Sequence, residues 1–142
     1  MTITGPMVPQ HLLFLGELRS EAVHGPSGAR LVTDAPVDNH GRGQSFSPTD
    51  LVVTALSSCA VTTAAIALQK HALRLDGAKV YAEKHMSVDP PRRIVRIVVH
   101  IDLPAGFPHD RRPLLESTAR QCPVARSLHP DVRIEMTFAY PD

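Results

Sequence analysis

The stretch Ser47-Pro48-Thr49-Asp50-Leu51-Val52-Val53-Thr54-Ala55-Leu56-Ser57-Ser58-Cys59 decides the reading of this chain. Ser47 is a natural N-cap, since its hydroxyl can accept from the free N–H groups of a first helical turn. Pro48 has no N–H to lose there, and its fixed φ suits the first helical position. Asp50 completes a Ser-x-x-Asp start, the reciprocal arrangement of a capping box. From Leu51 to Leu68 no charged residue occurs, and many of the apolar positions are alanine. The pattern predicts a helix from Pro48 to about His71, roughly 24 residues or about 36 Å at 1.5 Å per residue. Its length touches the lower edge of a membrane span. Thr54, Ser57, Ser58, Thr62 and Thr63 argue for the other environment in which a small, mildly apolar helix is stable, the centre of a protein core.

Upstream, residues 12–24 and 28–34 read as two strands separated by the turn residues Gly25-Pro26-Ser27. A loop rich in Pro, Asp, Asn and Gly fills 35–45. Downstream of the helix, Asp76-Gly77 marks a turn. Residues 80–88 and 94–103 then alternate with a period of two around Asp89-Pro90-Pro91-Arg92, the signature of a hairpin. A second helical region spans about 109–128, with Pro113 and Pro123 as interruptions. In the last strand Val132, Ile134, Met136, Phe138 and Tyr140 share one face. The order defines an α+β fold with a mainly antiparallel sheet, a long buried central helix and a second helical region, in a single domain over residues 1–142.

The 142 residues can bury a core without disulfide or metal support. The formal net charge of +1 gives no electrostatic argument for nucleic acid or an anionic membrane. Arg92, Arg93 and Arg96 read as a solvated strand edge, and Glu83, His85 and His100 as an outward strand face. Eight histidines are scattered without HxH, HxxxH or CxxC spacing, so no metal is expected. The start at Met1-Thr2-Ile3-Thr4-Gly5-Pro6-Met7 lacks the pattern of a secretory leader, and the expected location is the cytoplasm.

Two cysteines remain. Cys59 lies three turns into the helix, on a face made by Val52, Ala55, Leu56, Thr62, Thr63 and Ile66, apolar with two hydroxyls. Cys122 precedes Pro123, where a helical turn can open and present free N–H groups to the sulfur. The plain alternative is a pair of buried, inert thiols. For Cys59 to act as a nucleophile it must ionise, and only a few per cent of an ordinary thiol is thiolate at pH 7. Burial opposes ionisation, and the sulfur lies beyond the first turn where the dipole of its own helix acts. A cation is therefore expected nearby, with Arg19, Arg30 and Arg42 as candidates because they lie in the strands and loop leading into the helix.

The Ser47–Cys59 run resembles the helix-starting cysteine motif of the OsmC/Ohr family, the osmotically inducible protein C and organic hydroperoxide resistance proteins. The segment Ala119-Arg120-Gln121-Cys122-Pro123-Val124-Ala125-Arg126-Ser127-Leu128, whose cysteine lies 63 positions after Cys59, resembles the family's second motif. The resemblance implies an intertwined homodimer with two long helices packed back to back. It also implies thiol-dependent reduction of organic hydroperoxides. On that analogy Cys59 attacks the peroxide and becomes a sulfenic acid, and Cys122 condenses with it to a disulfide. An external dithiol, commonly a lipoylated protein in such relatives, then reduces the disulfide, with no metal or organic cofactor. Where the hydroperoxide reductases carry a glutamate directly after the proline, this chain has Thr49, followed by Asp50. Both join the arginines as candidates for orienting or activating groups. The family's N-terminal arginine has no clean counterpart around His24–Arg30, which marks a divergent branch. The alternative reading is an OsmC-like module that binds a small molecule or senses redox state with little turnover.

Overall fold

The computed structural model describes Ile3 and residues 5–142. Backbone packing divides the chain into two compact units, one ending at Leu51 and one formed by Val52–Asp142.

The first unit is an antiparallel sheet of β1 (Gln10–Gly16), β2 (Arg19–His24) and β3 (Arg30–Asp34), in that order. The single strand expected over 12–24 is therefore two strands. The chain reverses at Glu17 and Leu18, whose φ values of 52° and 63° follow a left-handed Gly16. Two successive left-handed residues match the right-handed twist of a hairpin. The usual Asn-Gly signal is missing here, so the alternation reads as continuous. Behind β3, Asp34 is buried and receives Arg19 Nε at 2.7 Å, Arg19 Nη2 at 2.9 Å and the Gln44 N–H at 3.1 Å. Gly41 is required by space, since a Cβ there would collide with the carbonyl of Ala35. The unit ends in the capping box read from the sequence: the Ser47 N–H donates to Asp50 Oδ2 at 2.8 Å, and the Asp50 N–H to Ser47 Oγ at 3.1 Å.

That box starts helix α1 (Pro48–Gln69), most of which belongs to the second unit. There β4 (Lys79–Met86) and β5 (Ile94–Asp102) form the expected antiparallel hairpin. The final strand, β6 (Arg133–Ala139), pairs parallel with β5, which puts β5 in the centre. A parallel pair needs a crossover, and residues 103–132 supply one through α2 (Arg112–Arg120) and α3 (Pro123–Ser127). The helical region is interrupted at both prolines, as expected, and each proline opens a new helix. Pro113 lies at the start of α2 and Pro123 at the start of α3, where the missing N–H costs nothing. The strands thus lie in two three-stranded sheets, with three of the four pairings antiparallel.

Leu56, Ala60, Ala64 and Leu68 of α1 share the core of this unit with Ile97, Val99 and Ile101 of β5, Leu115 and Ala119 of α2, and Met136 of β6. The helix is long and apolar enough to cross a membrane by length and composition. Its burial follows a stripe, Val53, Leu56, Ser57, Ala60, Ala64 and Leu68, at helical spacing. Thr54, Ala55, Ser58, Thr62 and Ile66 are exposed, Ile66 by 61%. The helix expected to be buried all round is buried along one side within this chain. Small residues everywhere on its surface conceal that asymmetry in the sequence.

Candidate active site

Cys59 sits at the margin of the buried stripe of α1, half-buried and packed against the core beside Ala60. One turn further along, on the same face, the Thr63 hydroxyl lies 3.8 Å from its sulfur. Cys122 arrives from the crossover. Its backbone is extended, with φ −61° and ψ 155°, because the residue before a proline avoids the helical region. It thereby becomes the N-cap of α3, its sulfur accepting from the Ala125 N–H at 3.5 Å. The Cys122 side chain is fully buried in the core.

The fold brings the two thiols close enough to influence each other and shifts them in opposite directions. Desolvation raises Cys59. Three donors outweigh it: the Val124 N–H, the Thr63 hydroxyl and the Cys122 thiol, which together hold Cys59 below its ordinary value. Cys122 is pushed up, first by burial, which the Ala125 N–H only partly offsets, and then by giving its proton toward Cys59. The pair is asymmetric in the sense that redox chemistry uses. The more exposed sulfur is the better anion, and the buried one keeps its proton.

Within its own unit, Cys59 is lowered by these neutral donors. A thiolate that accepts several hydrogen bonds is stabilised by them. Each candidate arginine is committed to a carboxylate within the first unit. Arg19 pairs with Asp34 and also reaches Gln44. Arg30 pairs with Glu21 at 2.6 Å, and Arg42 with Glu17. Asp50 and Thr49 meet Ser47 at the helix start, Asp50 through the capping box and Thr49 through a 3.1 Å contact between hydroxyls.

Of these groups, sequence reasoning placed the two cysteines and the hydroxyl face, Thr63 being four residues from Cys59. It missed Val124, because a backbone N–H carries no side-chain signal. The face of β4-β5-β6 that bears Glu83, Arg96 and His100 holds several polar pairs. Glu83 meets His85 at 2.8 Å, Arg96 meets Glu135 through Nε at 3.0 Å, and His100 meets Thr137 at 2.7 Å. Among the described residues, no three His, Cys, Asp or Glu side chains come together in an arrangement that could hold a metal ion.

Comparison with known proteins agrees with this α+β scaffold. The family model for OsmC-like proteins matches residues 41–137. A crystal structure from Psychrobacter arcticus 273-4, provisionally described as an osmotic stress induced and detoxification response protein, is similar at 34% identity and a TM-score of 0.88. That match covers 96% of this chain and 99% of the other. An organic hydroperoxide resistance protein OsmC from Legionella pneumophila aligns at 13% identity and a TM-score of 0.75, covering 94% and 97% of the two chains. An organic hydroperoxide resistance protein from Elizabethkingia anophelis aligns at 13% identity and a TM-score of 0.76, covering 98% and 99%. None of the curated protein sequences matches the chain. The chain belongs to the OsmC-like family.

Proposed function

We propose that this chain is a thiol-dependent peroxidase of organic hydroperoxides. The observation that carries the reading is the asymmetric thiol pair, Cys59 lowered and partly open, Cys122 raised and enclosed. In the proposed cycle a lone pair of the Cys59 thiolate attacks the distal peroxide oxygen. An S–O bond forms, the O–O bond breaks, and the alkoxide leaves and takes a proton from water. The product is a Cys59 sulfenic acid. Cys122 then attacks that sulfur, a Cys59–Cys122 disulfide forms, and water departs with the thiol proton and the sulfenyl oxygen. An external dithiol returns two electrons and two protons, and both cysteines are thiols again. Val124 and Ala125, which stand at the two sulfurs, favour a fatty or aromatic peroxide over hydrogen peroxide. The cycle uses no metal or organic cofactor.

The proposed working form is a cytoplasmic homodimer, with a lipoylated protein as the class of reductant. Support for a second copy comes from apolar surface left bare in each unit: Leu12, Leu13, Phe14 and Leu15 of β1 are each more than half exposed, and Ile66 stands on the open side of α1. Arg19, Arg30, Arg42, Thr49 and Asp50 are proposed to hold the segment that leads into α1.

The test is steady-state consumption of cumene hydroperoxide with dihydrolipoamide. Wild-type protein turns over. Cys59→Ser loses turnover, and Cys122→Ser stops after one equivalent with a sulfenic acid that dimedone traps. Full activity of Cys59→Ser overturns the assignment. No consumption by the wild type, with the disulfide still forming after peroxide, favours the redox-sensing alternative.

A further inference from the structure

We infer that Thr63 is a positioning residue for Cys59, its hydroxyl holding the sulfur in its anionic form and fixing its direction on α1. The inference rests on the reading of Cys59 as the attacking thiol and adds a residue to it. Its starting point is where hydroxyls on the helices of this unit go. Ser57 Oγ donates to the Val53 carbonyl at 2.8 Å, Thr118 Oγ1 to the Leu114 carbonyl at 2.8 Å, and Ser127 Oγ to the Pro123 carbonyl at 2.8 Å. That is the ordinary fate of a helical Ser or Thr, a bond back to the carbonyl four residues earlier. The Thr63 hydroxyl is directed at the side chain of the residue four positions earlier, with Oγ1 3.8 Å from Cys59 Sγ.

Three physical consequences follow from that placement. A neutral donor stabilises the thiolate over the thiol, because an anion accepts a stronger hydrogen bond than a neutral sulfur does. Thr is β-branched and is largely confined to two χ1 rotamers in a helix, so limited side-chain freedom is lost in keeping the donor aimed. Thr63 also rides on the same helix as the sulfur, whereas the Val124 N–H and the Cys122 thiol come from the α3 segment. Its hold on Cys59 therefore lasts through a cycle in which Cys122 gives up its proton and changes partner. The neighbouring Thr62 is exposed, which leaves Thr63 as the hydroxyl of the pair that serves the sulfur.

The experiment is the pH profile of Cys59 alkylation by iodoacetamide, followed at the Cys59 peptide by mass spectrometry, in wild type, Thr63→Val and Thr63→Ser. Thr63→Val keeps the shape and removes the donor. Its alkylation midpoint is expected to rise by about 0.5–1 pH unit, the scale of one hydrogen bond to an anion, with a three- to tenfold fall in rate at pH 7. Thr63→Ser keeps a hydroxyl and is expected to stay close to wild type. A Thr63→Val profile that overlays wild type overturns the inference. So does a Thr63→Ser profile displaced as far as that of Thr63→Val, since packing and not the hydroxyl would then set the sulfur. Should Thr63→Val fail to fold, Thr63→Ala takes its place in the same comparison with Thr63→Ser. Peroxide consumption run in parallel separates the two proposals. A midpoint that moves as described in a protein without turnover upholds the role of Thr63 and refutes the peroxidase.

Discussion

Oxidation by one equivalent of cumene hydroperoxide is expected to join Cys59 to Cys122 and to make the protein harder to unfold. The two residues are 63 positions apart. Closing a loop of roughly that length removes chain entropy from the unfolded state worth about 4 kcal/mol at 25 °C. Against this stands the Ala125 N–H bond to the Cys122 sulfur, which weakens when that sulfur takes a covalent partner. A lost cap costs about 1 kcal/mol. The net gain is about 3 kcal/mol. With a urea slope near 2 kcal/mol/M, usual for a small protein, the midpoint rises by about 1.5 M. The assay is a pair of urea melts followed by circular dichroism, oxidised against dithiothreitol-reduced protein at one protein concentration. Mass spectrometry confirms the loss of two hydrogens. An oxidised midpoint at or below the reduced one refutes the reasoning, because the sulfurs would then be unable to join without breaking the core that holds them.

Cys122→Ser keeps a capping oxygen at the start of α3 and is expected to leave stability within about 0.5 kcal/mol, while Cys122→Ala loses about 1 kcal/mol; equal losses in thermal melts would remove the sulfur from its capping role. Leu56 is fully buried in the second unit, and Leu56→Ala is expected to cost about 3 kcal/mol in denaturant melts through the cavity it leaves. Asp34 is held below the usual carboxylate range, chiefly by its hydrogen bonds from Arg19 and against the penalty of burial. Its stabilisation is therefore complete above the unfolded carboxylate value and disappears as pH falls through the lower folded one. Asp34→Asn should flatten the acid limb of a stability-against-pH curve, and an unchanged limb would show that the pair with Arg19 does not contribute. Tyr140 is pushed up to about 12, first by burial and then by Glu116. Absorbance titration should find this tyrosine still protonated at pH 11, and its share of stability should be lost as pH climbs from about 10 towards that value.

The parts of the fold that local chemistry determines were open to reading. Ser47, Pro48 and Asp50 name the start of α1 because capping needs those side chains, and the β4–β5 hairpin follows from strict alternation around a proline turn. The turn at Glu17-Leu18 was hidden because its left-handed backbone is adopted by residues that do not ordinarily favour it. The parallel partner of β6 was hidden because alternation reports which face a residue occupies, not which strand lies beside it. At the site, both cysteines and the hydroxyl at 63 were visible, the latter through helical spacing alone. The expected cation was an inference from burial, whereas the backbone N–H of Val124, of a kind every sequence contains, carries no side-chain signal and lowers the thiol in the same direction.

The order of the chain has a consequence for biosynthesis. Cys59 leaves the ribosome well ahead of Cys122 and Val124, which supply two of the three groups that depress its pKa. A nascent chain that has made α1 but not α3 therefore carries a thiol little more reactive than free cysteine. The shift is complete only when translation has delivered the crossover, so the polypeptide passes through its most vulnerable stage with Cys59 close to an ordinary thiol.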